Sequence, residues 1–372
     1  MSDIGRRTLL RLAGLAAGWR AMALPARSAK LARKLVLVTI GGIRRQESYS
    51  PDGMENIPHI MGDLLPHSLF YTHVWNEGVT SHFNTISSIL TGVWQHVDDW
   101  GRDPPGNPTL FRYVQEQLGA GPSDTWVVTS NKAMTSNIGV GANVILSKQL
   151  LVEAVERIVQ GYSPRKRLDR DLLLDELTSV MQDDYERIGW SVPSPSAILD
   201  PEVKKAFLTA LANFIHGPDS PASGDELTYF VATEVLRRVA PGVLLVGFSD
   251  VEVAHSGTYS LHVGGILRDD LLVHRLWQFV QSLPEYRDRT TMVVMPEFGR
   301  DPDGSSTNGF FNHRSNTESC RLTWMMVLGE AARQPAVIER EVRQIDLAPS
   351  LGEWLGIHCG DAAGTRLKEF AG

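Results

Sequence analysis

Cysteine is nearly missing from this chain, with Cys320 and Cys359 the only two in 372 residues. Two thiols build neither a disulfide framework nor an all-cysteine zinc site, although they could pair with each other in an oxidising compartment. Excess positive charge is missing as well. Lys and Arg number 36 against 43 Asp and Glu, a formal charge of −7. The basic face that phosphate neutralisation requires is therefore lacking, and no nucleic-acid partner is expected. No segment is long and apolar enough to span a bilayer, and there is no repeat or low-complexity tract. Familiar catalytic signatures fail too. "GFSDV" at Gly247 lacks the closing glycine of a nucleophile elbow, "GVGANV" at Gly139 lacks the third glycine of a dinucleotide loop, and neither a Walker A loop nor HExxH occurs.

What remains is the composition of an ordinary globular protein. Apolar residues make up 42% and charged residues 21%, which excludes a chain disordered throughout. The length suits one large α/β domain with insertions, or about two domains. At the N-terminus, Arg6 and Arg7 followed by Thr8, Leu9 and Leu10 and a weakly apolar stretch to Gly18 resemble a twin-arginine export signal. The expectation is that residues 1–28 are removed and residues 29–372 work in the periplasm or another extracytoplasmic space. Removal would take five Arg and one Asp, moving the charge from −7 to about −11.

Five short apolar runs rich in β-branched residues predict buried strands: "KLVLVTI", "TWVVTS", "GVLLVGF", "TTMVVM" and "CRLTWMMVLG". Helical patterns such as "NPTLFRYVQEQLG" and "DDLLVHRLWQFVQSL" alternate with them. The expected fold class is α/β, a doubly wound and mainly parallel sheet with helices on both faces. Residues 147–217 read as a helical insertion, in which Asp200 caps a helix, Pro201 opens it and Gly217 stops it. In open α/β sheets ligands bind beyond the carboxyl ends of the strands. Here those loops are "GGIRRQE", "SDVEVAH" and "PEFGRD".

Four polar features stand out: the set Asp250, Glu252 and His255; Glu297; His313 in "NGFFNHRSN"; and "EGVTSHFNTISSILTG". Carboxylate oxygen with imidazole nitrogen suits zinc first, with manganese or iron as alternatives. Each feature also has a plainer reading. A lone histidine is usually a polar surface group, Glu297 could brace a turn with Arg300, and Ser81 or Asn84 could cap a helix starting near Thr85.

The order of these features resembles the alkaline phosphatase superfamily, including sulfatases, nucleotide pyrophosphatases and twin-arginine-exported sulfatase-like proteins. "KLVLVTIGGIRRQE" is similar to that family's first strand and metal loop, and "NIPHIMGDLLPHSLFYTHVWNEG" to the segment before its nucleophile. "SHFNTISSILTG" is similar to its nucleophile helix, "GFSDVEVAHSGTYSLHVGGILRDD" to its Asp and His loop with the following helix, and "FFNHRSN" to its late histidine. "MPEFGR" stands where the family has Asp-His-Gly, and "IDLAPSLGEWLGI" is similar to the sulfatase C-terminal helix, with Pro349 and Ser350 opening it.

The departures are specific. Gly41 and Gly42 stand where the family carries a metal-binding Asp, and Phe298 where it carries a His. Counting nine residues back from Thr91 lands on His82, with Thr80 and Ser81 beside it and no cysteine, which excludes formylglycine chemistry. Thr80, Ser81 or His82 is then the expected nucleophile, His82 alternatively a third imidazole ligand. The resemblance implies a hydrolase of phosphate or sulfate esters acting on a small-molecule or polymer substrate. His255, His313 and one of Asp250 or Glu252 would hold a divalent metal, Glu297 would complete the site, and Arg44 or Arg45 would clamp the oxyanion. The alternative is a binding or scaffold protein that keeps the fold without the reaction.

Overall fold

The computed structural model describes residues 31–98, 103–130, 141–160, 201–215, 223–304 and 309–370. The expected export signal and most of the expected insertion lie outside these residues. Among the described residues eight strands form one sheet: β1 (Lys34–Ile40), β2 (Ser68–Trp75), β3 (Thr125–Thr129), β4 (Asn143–Leu146), β5 (Val243–Phe248), β6 (Thr290–Pro296), β7 (Leu322–Gly329) and β8 (Ala336–Arg343). Their order is β4-β3-β5-β1-β6-β7-β2-β8. All neighbours are parallel except at β7, which runs antiparallel to both β6 and β2.

The five predicted strands are present, and three more join them. β4 is a four-residue edge strand, too short to register as a run, and β8, "AVIEREVR", is an edge strand whose charged residues face solvent. β2 lies inside the segment read only as preceding the nucleophile. "CRLTWMMVLG" also starts late as a strand, because Glu318–Arg321 forms a single helical turn first.

The helices are α1 (His82–Thr91), α2 (Leu110–Leu118), α3 (Ser147–Gln160), α4 (Pro201–Ile215), α5 (Gly224–Arg238), α6 (Tyr259–Ser282) and α7 (Leu347–Leu355). Strand alternation sends Val36, Val38 and Ile40 to one face and Leu35 and Leu37 to the other. The first face is covered by α3, α4, α5 and α6, and the second by α1, α2 and α7. Two apolar cores thus clamp a sheet buried on both sides, which is why the central strands carry continuous Val, Leu and Ile. Within residues 147–217 the described helices are α3 and α4, with Pro201 as the first residue of α4, and the expected cap Asp200 and stop Gly217 lie outside the described residues. α7 starts at Leu347, two residues ahead of Pro349.

Candidate active site

Since β1, β2, β5 and β6 all point one way, their carboxyl ends meet at one edge of the sheet. The antiparallel β7 brings its preceding loop to the same edge. β1 delivers Gly41 and Gly42, β2 leads to α1, β5 ends in the 3₁₀ turn Asp250–Ser256, β6 delivers Glu297, Phe298 and Arg300, and His313 lies on the way into β7. The 3₁₀ turn decides which acid serves. At three residues per turn, positions three apart eclipse, so Glu252 and His255 share a face and their side chains meet at 3.1 Å. Asp250, five residues before His255, is turned away.

His82, the first residue of α1, brings Nδ1 to 2.6 Å from Glu297 Oε2, and its Nε2 lies 3.6 Å from Glu252 Oε2. His313 Nδ1 sits 2.8 Å from the Thr80 carbonyl and its Nε2 is 3.2 Å from His255 Nε2. A carbonyl only accepts, so His313 Nδ1 carries the proton and its Nε2 presents a lone pair to the cluster. Glu297 acts on His82 in the same way, a carboxylate fixing ring orientation and tautomer from behind. Gln344 in turn donates to the Glu297 carbonyl at 2.6 Å.

Glu252 is the common partner. The Gly42 amide donates to its Oε1 at 2.6 Å, and Arg300 Nη2 lies 2.6 Å from Oε2. Burial opposes its charge, but the Arg300 guanidinium, then His82 and His255, hold the carboxyl well below the usual range. Burial likewise drives His313 down to about 3, so it stays neutral as a ligand must. The ligand atoms of His82, Glu252 and His313 all lie within 4.8 Å of one another and all three residues are buried. His255, a quarter exposed, is the member that reaches solvent.

The donor set fits a divalent metal. For bonds of about 2.0–2.1 Å a tetrahedral edge is about 3.3 Å. Within the set, the Glu252–His82 separation of 3.6 Å is close to that edge, and the ligand atom of His313 lies within 4.8 Å of both. Two imidazoles and a carboxylate with one open direction form the ligand set of catalytic zinc rather than structural zinc.

The remaining predicted residues sit elsewhere. Asp250 Oδ2 lies 3.2 Å from Arg268 and accepts from the Asp225 amide, in a separate acidic group with Asp225 and Asp269. Arg44 is buried against Glu47 and Asp303, and Arg45 lies over the Tyr49 ring. Ser81 occupies the N-cap position of α1 and accepts from Asn84 at 2.9 Å, while Thr80 Oγ1 accepts from Cys320 at 3.6 Å. Cys320 and Cys359 are both free and buried. The guanidinium beside the cluster is Arg300, which the sequence reading treated only as a turn brace. Phe298 stacks on His313 at 4.3 Å and leans on His82 at 5.1 Å, an apolar wall beside the two imidazoles. The two glycines also find their reason. A Cβ on Gly41 would collide with Glu252 Oε1, and one on Gly42 would lie 2.8 Å from the Phe298 ring. The Glu252 carboxylate, delivered by the turn after β5, thus fills the space beside Gly41.

Sheet order and site edge together define a class, the alkaline phosphatase-like α/β fold. Among solved structures the chain is similar to the alkaline phosphatase PafA, at 11% identity and a TM-score of 0.58 over 94% of this chain and 100% of that one. It is also similar to an alkaline phosphatase superfamily protein from Vibrio parahaemolyticus, at 14% identity and 0.53 over 96% and 76%. The lipoteichoic acid synthase LtaP from Listeria monocytogenes gives 11% and 0.54 over 97% and 81%. No protein-family model and no curated protein sequence matches the chain.

Proposed function

We propose that this chain is a metal-dependent hydrolase of phosphate or sulfate esters, with His82, Glu252 and His313 holding one divalent ion and His255 handling the proton. The observation that carries the reading is the pair of buried imidazoles, each held through Nδ1 by an acceptor behind it, whose ligand atoms gather with that of Glu252 within 4.8 Å. A zinc-like ion in that position supplies Lewis-acid polarisation of the ester oxygen. With Glu252 and Glu297 as carboxylates and Arg300 as guanidinium, the surrounding residues carry one net negative charge. A divalent ion reverses the sign, which favours an anionic ester.

His255 sits at the open side with Glu252 beside it, so a proton taken from an attacking water leaves an imidazolium facing a carboxylate. Ser81 Oγ and Thr80 Oγ1 are engaged with Asn84 and Cys320, and the Thr80 carbonyl orients His313. Water is therefore the proposed nucleophile. The twin-arginine pattern at Arg6 and Arg7 supports work in the periplasm.

A second reading, a binding or scaffold protein without turnover, is favoured by one contact. Arg300 already neutralises Glu252 from a fully buried position. Zinc analysis of the purified chain, with aryl phosphate, phosphodiester and aryl sulfate assays, separates the two. The hydrolase reading expects about one zinc at this site and turnover of at least one ester. It expects His313→Ala to lose both, and His255→Ala to keep the metal while losing about 10²–10⁴-fold in kcat. A chain that binds zinc but turns over none of these esters, or binds none at all, sustains the scaffold.

A further inference from the structure

A second cluster of ligand-type side chains lies away from the active-site edge. His59 caps the irregular helical turn Ile60–Leu64, Asp63 lies within it, and His274 stands on α6. Their ligand atoms all fall within 4.8 Å of one another. His59 Nδ1 is 2.7 Å from Asp63 Oδ2, and His274 Nε2 is 3.7 Å from the same oxygen. The two rings stack at 4.6 Å with 13° between their planes. The Gln278 amide nitrogen lies 3.1 Å from His274 Nε2 and can only donate, so that nitrogen carries a lone pair, and an ion bound there would take the place of this hydrogen bond.

The frame around this cluster is rigid. Asp270, nearly fully buried and one turn before His274 on α6, accepts from the backbone N–H of His59 at 3.0 Å and of Ile60 at 2.7 Å. The segment carrying His59 and Asp63 is thereby clamped to the helix carrying His274, so the three side chains are held together before any ligand arrives.

We propose that His59, Asp63 and His274 form a second, surface metal site for a borderline transition ion such as zinc, independent of the catalytic reading. Two imidazoles and one carboxylate select zinc, copper or nickel over magnesium or calcium, which prefer all-oxygen shells. Water completes the coordination, since His59 is about a third exposed and Asp63 about half. An ion there displaces the proton that His59 Nδ1 shares with Asp63 and ties the segment before β2 to α6 by a third link beyond the two Asp270 hydrogen bonds.

The test is a zinc titration of the full chain after chelator treatment, read by calorimetry for stoichiometry, with magnesium as control. The unaltered protein is expected to bind one zinc ion more per chain than His59→Ala or His274→Ala, two against one where the active site also holds an ion, with ester hydrolysis unchanged in each variant. His313→Ala is expected to keep the surface ion. Hydrogen exchange of the amides from Ile60 to Leu64 should slow on zinc addition in the unaltered chain and not in His274→Ala. The proposal is overturned if zinc stoichiometry is the same in the unaltered chain and in the His59→Ala, His274→Ala double variant, or if zinc leaves those amides unaffected. Either result would leave a surface ion pair only. An unaltered chain that binds the surface ion but turns over no ester would instead count against the hydrolase and leave this site standing.

Discussion

Glu252 shows how much of the site depends on one side chain reaching one position. It accepts from Gly42, pairs with Arg300 and touches both His255 and His82. The sequence offered it and Asp250 as equals, because spacing alone does not tell an α-helix from a 3₁₀ turn, and only the tighter period makes an i,i+3 pair eclipse. The role of Glu297 was likewise half legible. As a carboxylate at the end of β6 it belonged to the site, but its service behind His82 depends on where α1 begins, which no pattern in "SHFNTISS" fixes. Arg300 and Phe298 carried no signal beyond position. If Glu297 orients His82, then Glu297→Gln should weaken zinc binding or activity by about 10–100-fold without unfolding the chain. Zinc titration alongside far-UV dichroism checks this, and unchanged affinity and turnover would remove Glu297 from the account.

Elements deliver the ligands, and α1 does so most directly. It is a wholly buried helix with His82 at its first position. Ser88 and Thr91 donate to carbonyls one turn back at 2.7 and 2.8 Å, whereas Ser87 Oγ is buried without a hydrogen-bond partner among the described residues. Gly92 ends it in the left-handed region at φ 72°, where a Cβ would meet Ala362 at 2.8 Å. Gly92→Ala should therefore lower stability by about 1–3 kcal/mol through backbone strain and overpacking. It should leave zinc affinity per folded molecule intact, because the change lies at the far end of the helix from His82. Urea unfolding followed by zinc titration distinguishes this from a direct site effect. The central strands were legible since double burial forces continuous apolar runs. β4 and β8 were not, since edge strands are short or carry charge.

For the whole molecule, two apolar cores sandwich the sheet and neither includes the site residues. Removing metal should lower the thermal midpoint without abolishing the fold, as dichroism with and without chelator would show. Acid acts more broadly. Burial holds His313 down to about 3 and His262 down to about 4, both below the unfolded value of about 6.5. The unfolded chain therefore binds more protons below that value. Stability is fully present above about pH 6.5 and falls as pH drops toward 4, by at most about 1.4 kcal/mol per pH unit per histidine. Urea midpoints of the metal-free protein should decline from pH 7 to pH 5, with a shallower slope in His262→Gln.

The α/β class, the site edge and four of the ligand-type residues could be read from sequence order, since they follow strands. The gathering of His82, Glu252 and His313 could not, because three loops separated by some 230 residues meet only through sheet order. That meeting is tested most directly by anomalous diffraction at the zinc edge from crystals grown with zinc. The account predicts a peak about 2.0–2.2 Å from His82 Nε2, His313 Nε2 and a Glu252 oxygen. A map with no peak among those three atoms, and Arg300 still seated on Glu252, would contradict it.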